Sequence, residues 1–374
     1  MKRFSFSMLL FLCVFVFTCF SSFAQDPPDT QFRLSGKHSF ESSGAENWTV
    51  SQELIDEQSG ESQVSNDFAK AKGAKAKFDL AKVDKKETIY RLKAEGKGSV
   101  KEFTVRVFEP NKISSFLYKT ELNPPVRAYI YVPKSLSAKT RFIMVMHGLS
   151  RNADDYIASW EKWAGKNDYI AVAPLFDAKN WKGAAKYNNG NIITSDGLKV
   201  RQKKWSFQLV DDLHSLVSKG FGLDNDYYDL FGHSAGGQFV HRFMLFLPKA
   251  KVRVALAANP GWYTLPDLEQ EFPYGLKHEK LSFTNADLLN WTKRNVMILR
   301  GTDDILRTDN LQKTPEADAQ GQNRFERAAF MYDKIKTLDP GTNWRLIEAP
   351  KVGHDQTRMA IAAQYVLDML NPKK

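Results

Sequence analysis

The segment Tyr227-Tyr228-Asp229-Leu230-Phe231-Gly232-His233-Ser234-Ala235-Gly236-Gly237 constrains the fold more than any other part of this 374-residue chain. An aromatic and apolar run breaks into Gly-x-Ser-x-Gly, and a helix-like stretch, residues 238–247, follows at once. Only small residues fit a strand that turns so sharply into a helix, and the turn lifts the Ser hydroxyl clear of the backbone. A lone Gly-x-Ser-x-Gly arises often by chance. Here strand, turn and helix signals stand in the required order, which gives the motif its weight.

The surrounding pattern agrees. Short apolar runs predict strands over residues 115–122, 126–132, 141–146, 169–174, 227–231, 252–258, 296–300 and 344–348. Amphipathic stretches predict helices over 207–219, 238–247, 324–337 and 357–370. The first two strands flank Pro124-Pro125 and read as an antiparallel pair. The rest alternate with helices, which implies an α/β fold with a doubly wound, mostly parallel sheet covered on both faces. No internal repeat competes with this rhythm.

A Ser hydroxyl is a weak nucleophile at neutral pH. It needs an imidazole to take its proton and a carboxylate to hold that imidazole in the right tautomer. In a doubly wound sheet these groups come from loops beyond the C-terminal strand ends, in the order Ser, acid, His. The strand at 296–300 runs into Gly301-Thr302-Asp303-Asp304, and the one at 344–348 leads to Val352-Gly353-His354. Ser234, Asp304 and His354 thus lie 70 and 50 residues apart, each at a strand end. Asp303 competes with Asp304 for the acid's place, although it is also suited to capping the following turn. His233 abuts Ser234 and points elsewhere in such a turn, while His147, His214 and His241 read as packing or surface residues. No pair of histidines has metal-ligand spacing with a carboxylate, so neither metal nor cofactor is expected.

Charge that develops on a substrate oxygen needs donors. Ala235 offers its backbone N–H as the helix begins. A second donor is expected from His147-Gly148-Leu149, with Leu149 first and Gly148 behind it; each is typically worth roughly 10²–10³ in turnover.

Residues 1–24 read as an export signal: Lys2 and Arg3, an apolar run over 8–20, then Ser22-Phe23-Ala24 before Gln25. The run is too short for a comfortable membrane span. A periplasmic or extracellular address follows, with no membrane span after cleavage. Both cysteines, Cys13 and Cys19, fall inside the signal, so the mature chain has no disulfide and no thiolate nucleophile. The net charge of +10 becomes about +8 without Lys2 and Arg3. Residues 25–112 balance 15 Lys/Arg against 15 Asp/Glu, so the excess belongs to 113–374. Residues 177–206 alone hold seven Lys/Arg against Asp177 and Asp196, a composition that favours anionic partners. Nucleic acid is not expected for an exported chain without a binding motif.

Residues 88–94 and 103–108 alternate with period two around Gly96-Lys97-Gly98, a hairpin pattern. Residues 25–112 are therefore read as a small, sandwich-like all-β module with a packing or spacer role. Residues 113–374 are read as the catalytic domain.

Over those residues the chain resembles the α/β-hydrolase superfamily, through His147-Gly148, Gly232-His233-Ser234-Ala235-Gly236, Gly301-Thr302-Asp303-Asp304 and Gly353-His354. It looks more loosely like the secreted polyhydroxybutyrate-depolymerase and feruloyl-esterase-like group, which shares the strand motif seen here as Tyr131-Val132-Pro133. The mature chain departs from that group in lacking its common cysteines. The resemblance favours Asp304, three residues after Gly301, as the acid. It implies a serine hydrolase that cleaves carboxylic esters, acylated polysaccharide or polyester-type, through an acyl-enzyme on Ser234. A serine peptidase of the same fold and a non-catalytic binding protein are the alternatives. Two insertions, 177–206 and 260–293, are expected to shape specificity, with Trp181, Trp205, Trp262 and Tyr263 as candidates to line a substrate pocket.

Overall fold

A computed structural model of the chain describes residues 30–371, apart from Gln58 and Asp224. The export signal read over 1–24 lies outside the described residues. Among them no helix is long and apolar enough to cross a membrane.

The N-terminal part is all β. Its strands are β1 (Gln31–Leu34), β2 (Gly36–Glu41), β3 (Asn47–Asp56), β4 (Ser62–Lys72), β5 (Lys75–Leu80), β6 (Lys86–Gly96) and β7 (Ser99–Phe108). Five form a sheet in the order β1-β7-β6-β3-β4, and β2 pairs with β5 in a second, two-stranded sheet. The β6–β7 hairpin pairs Thr88 with Val107, and the Gly96-Lys97-Gly98 turn closes it. The period-two pattern aims Trp48, Val50, Tyr90, Leu92, Val105 and Val107 at one core, which Phe40, Phe78 and Leu80 of the smaller sheet complete.

This module is not loosely tethered. Phe32 on β1 packs against Phe108, Phe116 and Phe221 with ring centroids 5.1–5.5 Å apart. Glu87 pairs with the buried Arg106 and accepts a hydrogen bond from the Leu117 backbone at 3.0 Å. Phe116, Leu117 and Phe221 belong to the second, larger part.

That part begins with β8 (Ile113–Tyr118) and β9 (Val126–Tyr131), antiparallel to each other. β10 (Arg141–Met146) follows, then two helices, α1 (Ala153–Ala158) and α2 (Glu161–Asn167), and β11 (Tyr169–Leu175). Next come α3 (Gly183–Lys186), α4 (Ser206–Gly220), β12 (Tyr228–His233), α5 (Ala235–Phe246) and β13 (Val252–Ala258). The chain ends with α6 (Asn285–Thr292), β14 (Val296–Gly301), α7 (Pro315–Asp318), α8 (Arg324–Leu338), β15 (Arg345–Ala349) and α9 (Gln356–Leu370). The eight strands form one sheet in the order β15-β14-β13-β12-β10-β11-β9-β8. From β11 to β15 all neighbours are parallel, and β9 joins β11 antiparallel. It is the doubly wound α/β sheet that the sequence pattern predicts.

Alternation along β10 shows how the sheet is covered. Phe142, Met144 and Met146 enter the core shared with α4, α5 and α8, whereas Ile143 and Val145 enter the core beneath α1, α2 and α9. A strand buried on both faces reads as a continuous apolar run. The helices α1 and α2, six and seven residues long, are too short to register as a periodic signal, and the sequence pattern missed them.

Candidate active site

The central strand β12 delivers Ser234 to the C-terminal edge of the sheet, at the junction with α5. Ser234 adopts φ 59°, ψ −118°, a strained conformation for a residue with a side chain. Its neighbours show why the turn demands glycine. A Cβ on Gly232 would fall 2.2 Å from the Gly236 carbonyl oxygen, and one on Gly236 would fall 2.2 Å from that of Met146.

The loops after β14 and β15 bring the other two groups to Ser234. His354 Nε2 lies 3.0 Å from Ser234 Oγ, and His354 Nδ1 lies 2.7 Å from Asp304 Oδ2. With Nδ1–H donating to the carboxylate, Nε2 is free to accept from the Ser hydroxyl. Asp304 is buried, whereas Asp303 is exposed and accepts from the Thr302 hydroxyl instead. The geometry thus joins Ser234, His354 and Asp304 and leaves Asp303 outside.

Three supporting residues had no sequence signal. Arg324, at the start of α8 and itself buried, places Nη1 3.5 Å from the second Asp304 oxygen. Asn259, at the end of β13, accepts from the Gly301 N–H at 2.8 Å and donates to the Gly353 carbonyl at 3.1 Å. It ties the acid's loop to the histidine's loop. Tyr156 fills the space over Gly148 and meets His233 Nδ1 at 3.1 Å.

His147 is buried, stacks on Tyr187 at 4.5 Å and accepts from the Phe176 N–H at 3.0 Å. Burial pulls its imidazole down to about 3, so it braces the loop as a neutral ring. His233 is also buried and pulled well below its usual range by burial. His214 and His241 pack in the core as well.

The Leu149 side chain is 59% exposed beside the site, and Ala235 contributes the first N–H of α5, which has no intrahelical acceptor.

The four aromatic candidates are placed differently from expectation. Trp181, Trp205 and Tyr263 pack into the core over the sheet, and Trp262 is buried between Arg242 and Tyr274. All four are largely buried and anchor the insertions, because large apolar area gains most when covered, while Trp205 also borders a cavity. Leu149, in the loop after β10, and Ile305 and Leu306, in the loop after β14, are exposed apolar side chains. The basic segment is also partly displaced from the expected rim. Lys199 lines a cavity of about 580 Å³ with Trp205, Phe246 and Arg294 at the C-terminal end of α5. Ser234 lies at the opposite end of that helix, roughly 18 Å away at 1.5 Å per residue.

A doubly wound sheet with a nucleophile turn on its central strand, and an acid and a histidine on later strand ends, defines a class: the chain belongs to the α/β-hydrolase superfamily. It is similar to the poly(aspartic acid) hydrolase-1 from Sphingomonas sp. KT-1, at 35% identity and a TM-score of 0.67 over 69% of this chain and 99% of that one. It is also similar to LpqC, a poly(3-hydroxybutyrate) depolymerase from Bordetella parapertussis, at 32% identity and a TM-score of 0.64 over 68% of this chain and 89% of that one. No protein-family model matches the chain, and no curated protein does.

Proposed function

We propose that this chain is an exported serine ester hydrolase that works through an acyl-enzyme on Ser234, with polyester-type or acylated polysaccharide substrates. The observation that carries the reading is the continuous hydrogen-bonded path from Ser234 Oγ through His354 to Asp304, at 3.0 and 2.7 Å. As Ser234 Oγ attacks the carbonyl carbon, its proton passes to His354 Nε2, and Asp304 stabilises the imidazolium without taking the proton. The N–H groups of Leu149 and Ala235 receive the charge on the carbonyl oxygen. His354 then protonates the leaving alcohol, and water repeats the sequence to release the acid. Similarity to a poly(3-hydroxybutyrate) depolymerase supports the polyester reading.

Similarity to a poly(aspartic acid) hydrolase favours a second reading, a serine peptidase-like enzyme of the same fold that expels an amine. A panel of p-nitrophenyl esters and peptide anilides separates the two, with fluorophosphonate labelling of Ser234 as the common control. Ser234→Ala is expected to abolish both turnover and labelling. Labelling that persists at another residue overturns the assignment and leaves a non-catalytic binding role for this site.

A further inference from the structure

Gln238 and Arg242 follow Ser234 at intervals of four and share one face of α5. Gln238 packs against the loop after β13, where a Cβ on Gly261 would lie 2.8 Å from its Nε2. Its Oε1 accepts from Asn188 Nδ2 at 2.6 Å. Arg242 is fully buried beyond it. Its Nε donates to Thr264 Oγ1 at 2.7 Å, and Nη1 donates to the carbonyls of Asn188 and Gln238 at 3.1 and 3.3 Å. The guanidinium lies 4.1 Å from the centroid of Trp262. All of these partners are neutral, and Nη2 has no hydrogen-bond partner among the described residues.

A buried cation ordinarily has an anion beside it, because an unpaired charge away from water is costly. The other most deeply buried arginines obey this. Arg106 pairs with Glu87, Arg324 with Asp304 and Arg327 with Asp318. Among the described residues, Arg242 alone of these four has no carboxylate partner, and it lies two helical turns from the nucleophile position.

We propose that the missing counter-ion is a carboxylate of the substrate, held at the Gln238 amide with Arg242 behind it, so that the enzyme selects substrates bearing a free carboxylate near the scissile bond. Gln238 is 7% exposed and is the group a ligand touches; Arg242 acts on it through space from the next turn. The inference rests on Ser234 being the nucleophile. A charge in the dry interior is screened little by salt, unlike the exposed Lys199 and Lys203. That difference makes the source of any anion preference measurable.

The test compares kcat/KM for matched p-nitrophenyl esters whose acyl chain ends in a carboxylate or in a methyl group. The wild-type chain is expected to prefer the carboxylate by about tenfold or more, and to keep that preference in about 0.5 M salt. Arg242→Met collapses the ratio and Arg242→Lys retains most of it; using a ratio cancels any general loss of active protein. Should Arg242→Met fail to fold, Gln238→Leu is scored on the same ratio. No preference in the wild type, a preference erased by salt, or a ratio unchanged in these variants overturns the proposal. Fluorophosphonate labelling at Ser234 judges the underlying reading separately.

Discussion

Asp303 and Asp304 are adjacent in the chain and meet opposite environments. Asp304 is 2% exposed and lies between His354 and Arg324, while Asp303 is exposed and hydrogen-bonds its neighbour Thr302. A carboxylate that holds an imidazole fixes both its tautomer and its orientation. Asp304→Asn is therefore expected to lower kcat by about 10²–10⁴, and Asp303→Asn by no more than a few-fold. Steady-state kinetics on one soluble ester decides; equal losses would remove the distinction drawn from burial.

The N-terminal module shares an aromatic cluster with the larger part, through Phe32, Phe108, Phe116 and Phe221. Truncating one such ring leaves a cavity worth about 3–5 kcal/mol. Phe32→Ala should therefore lower Tm by several degrees without changing KM for a small soluble ester. A shortened chain beginning at Asn111 should keep that turnover while losing thermal stability and binding more of an apolar dye. A shortened chain that folds but is inactive would mean that the module contributes to the site itself.

The course of the sheet was legible because β10 to β14 are short, apolar on both faces and spaced by helices. β12 runs through Gly232 to His233, two residues past its apolar run, because backbone pairing with β13 continues to Ala258 whatever the side chains are. Ser234 and His354 could be picked out because each follows a strand end beside glycine. Arg324, Asn259 and Tyr156 could not, since their importance lies in contacts made across long stretches of chain. The aromatics of the two insertions show the same limit in reverse. Trp181 and Tyr263 read as pocket walls, and only the fold reveals that they are core.

Four buried histidines give stability a pH dependence, because burial pulls His233 and His241 well below their ordinary range as it does His147 and His214. Burial pulls His147 to about 3 and His214 to about 4, both below the ordinary 6.5. Depressed values mean that the unfolded chain binds more protons than the folded one between those limits. Stability is thus fully present above about pH 6.5 and falls as pH drops toward 4 and then 3. Each pKa unit corresponds to about 1.4 kcal/mol. His214 packs edge-on against Phe142 and lies over Tyr228, which makes His214→Phe the informative variant. Urea unfolding at several pH values should show a flatter decline below pH 6.5 for His214→Phe than for the wild type. Parallel curves would assign the decline to other groups.

Gly148 and Tyr156 set the shape of the loop from which Leu149 is proposed to donate. A Cβ on Gly148 would lie 2.6 Å from Tyr156 Oη and 3.7 Å from Ser234 Cβ, so the phenol must move or the loop must shift. Either change turns the Leu149 N–H away from the oxygen it is proposed to stabilise. Gly148→Ala should then cost roughly 10²-fold in kcat, the scale of one lost donor, with a smaller effect on KM. Removing the clashing oxygen offers the control. The double variant Gly148→Ala, Tyr156→Phe should recover part of the loss, whereas Tyr156→Phe alone should lower activity only modestly. If the double variant is no better than Gly148→Ala, the clash is not the cause, and the loop must be held by its own hydrogen bonds, Phe176 N–H to His147, Tyr187 to the His147 carbonyl and His147 Nδ1 to the Gly148 carbonyl among them.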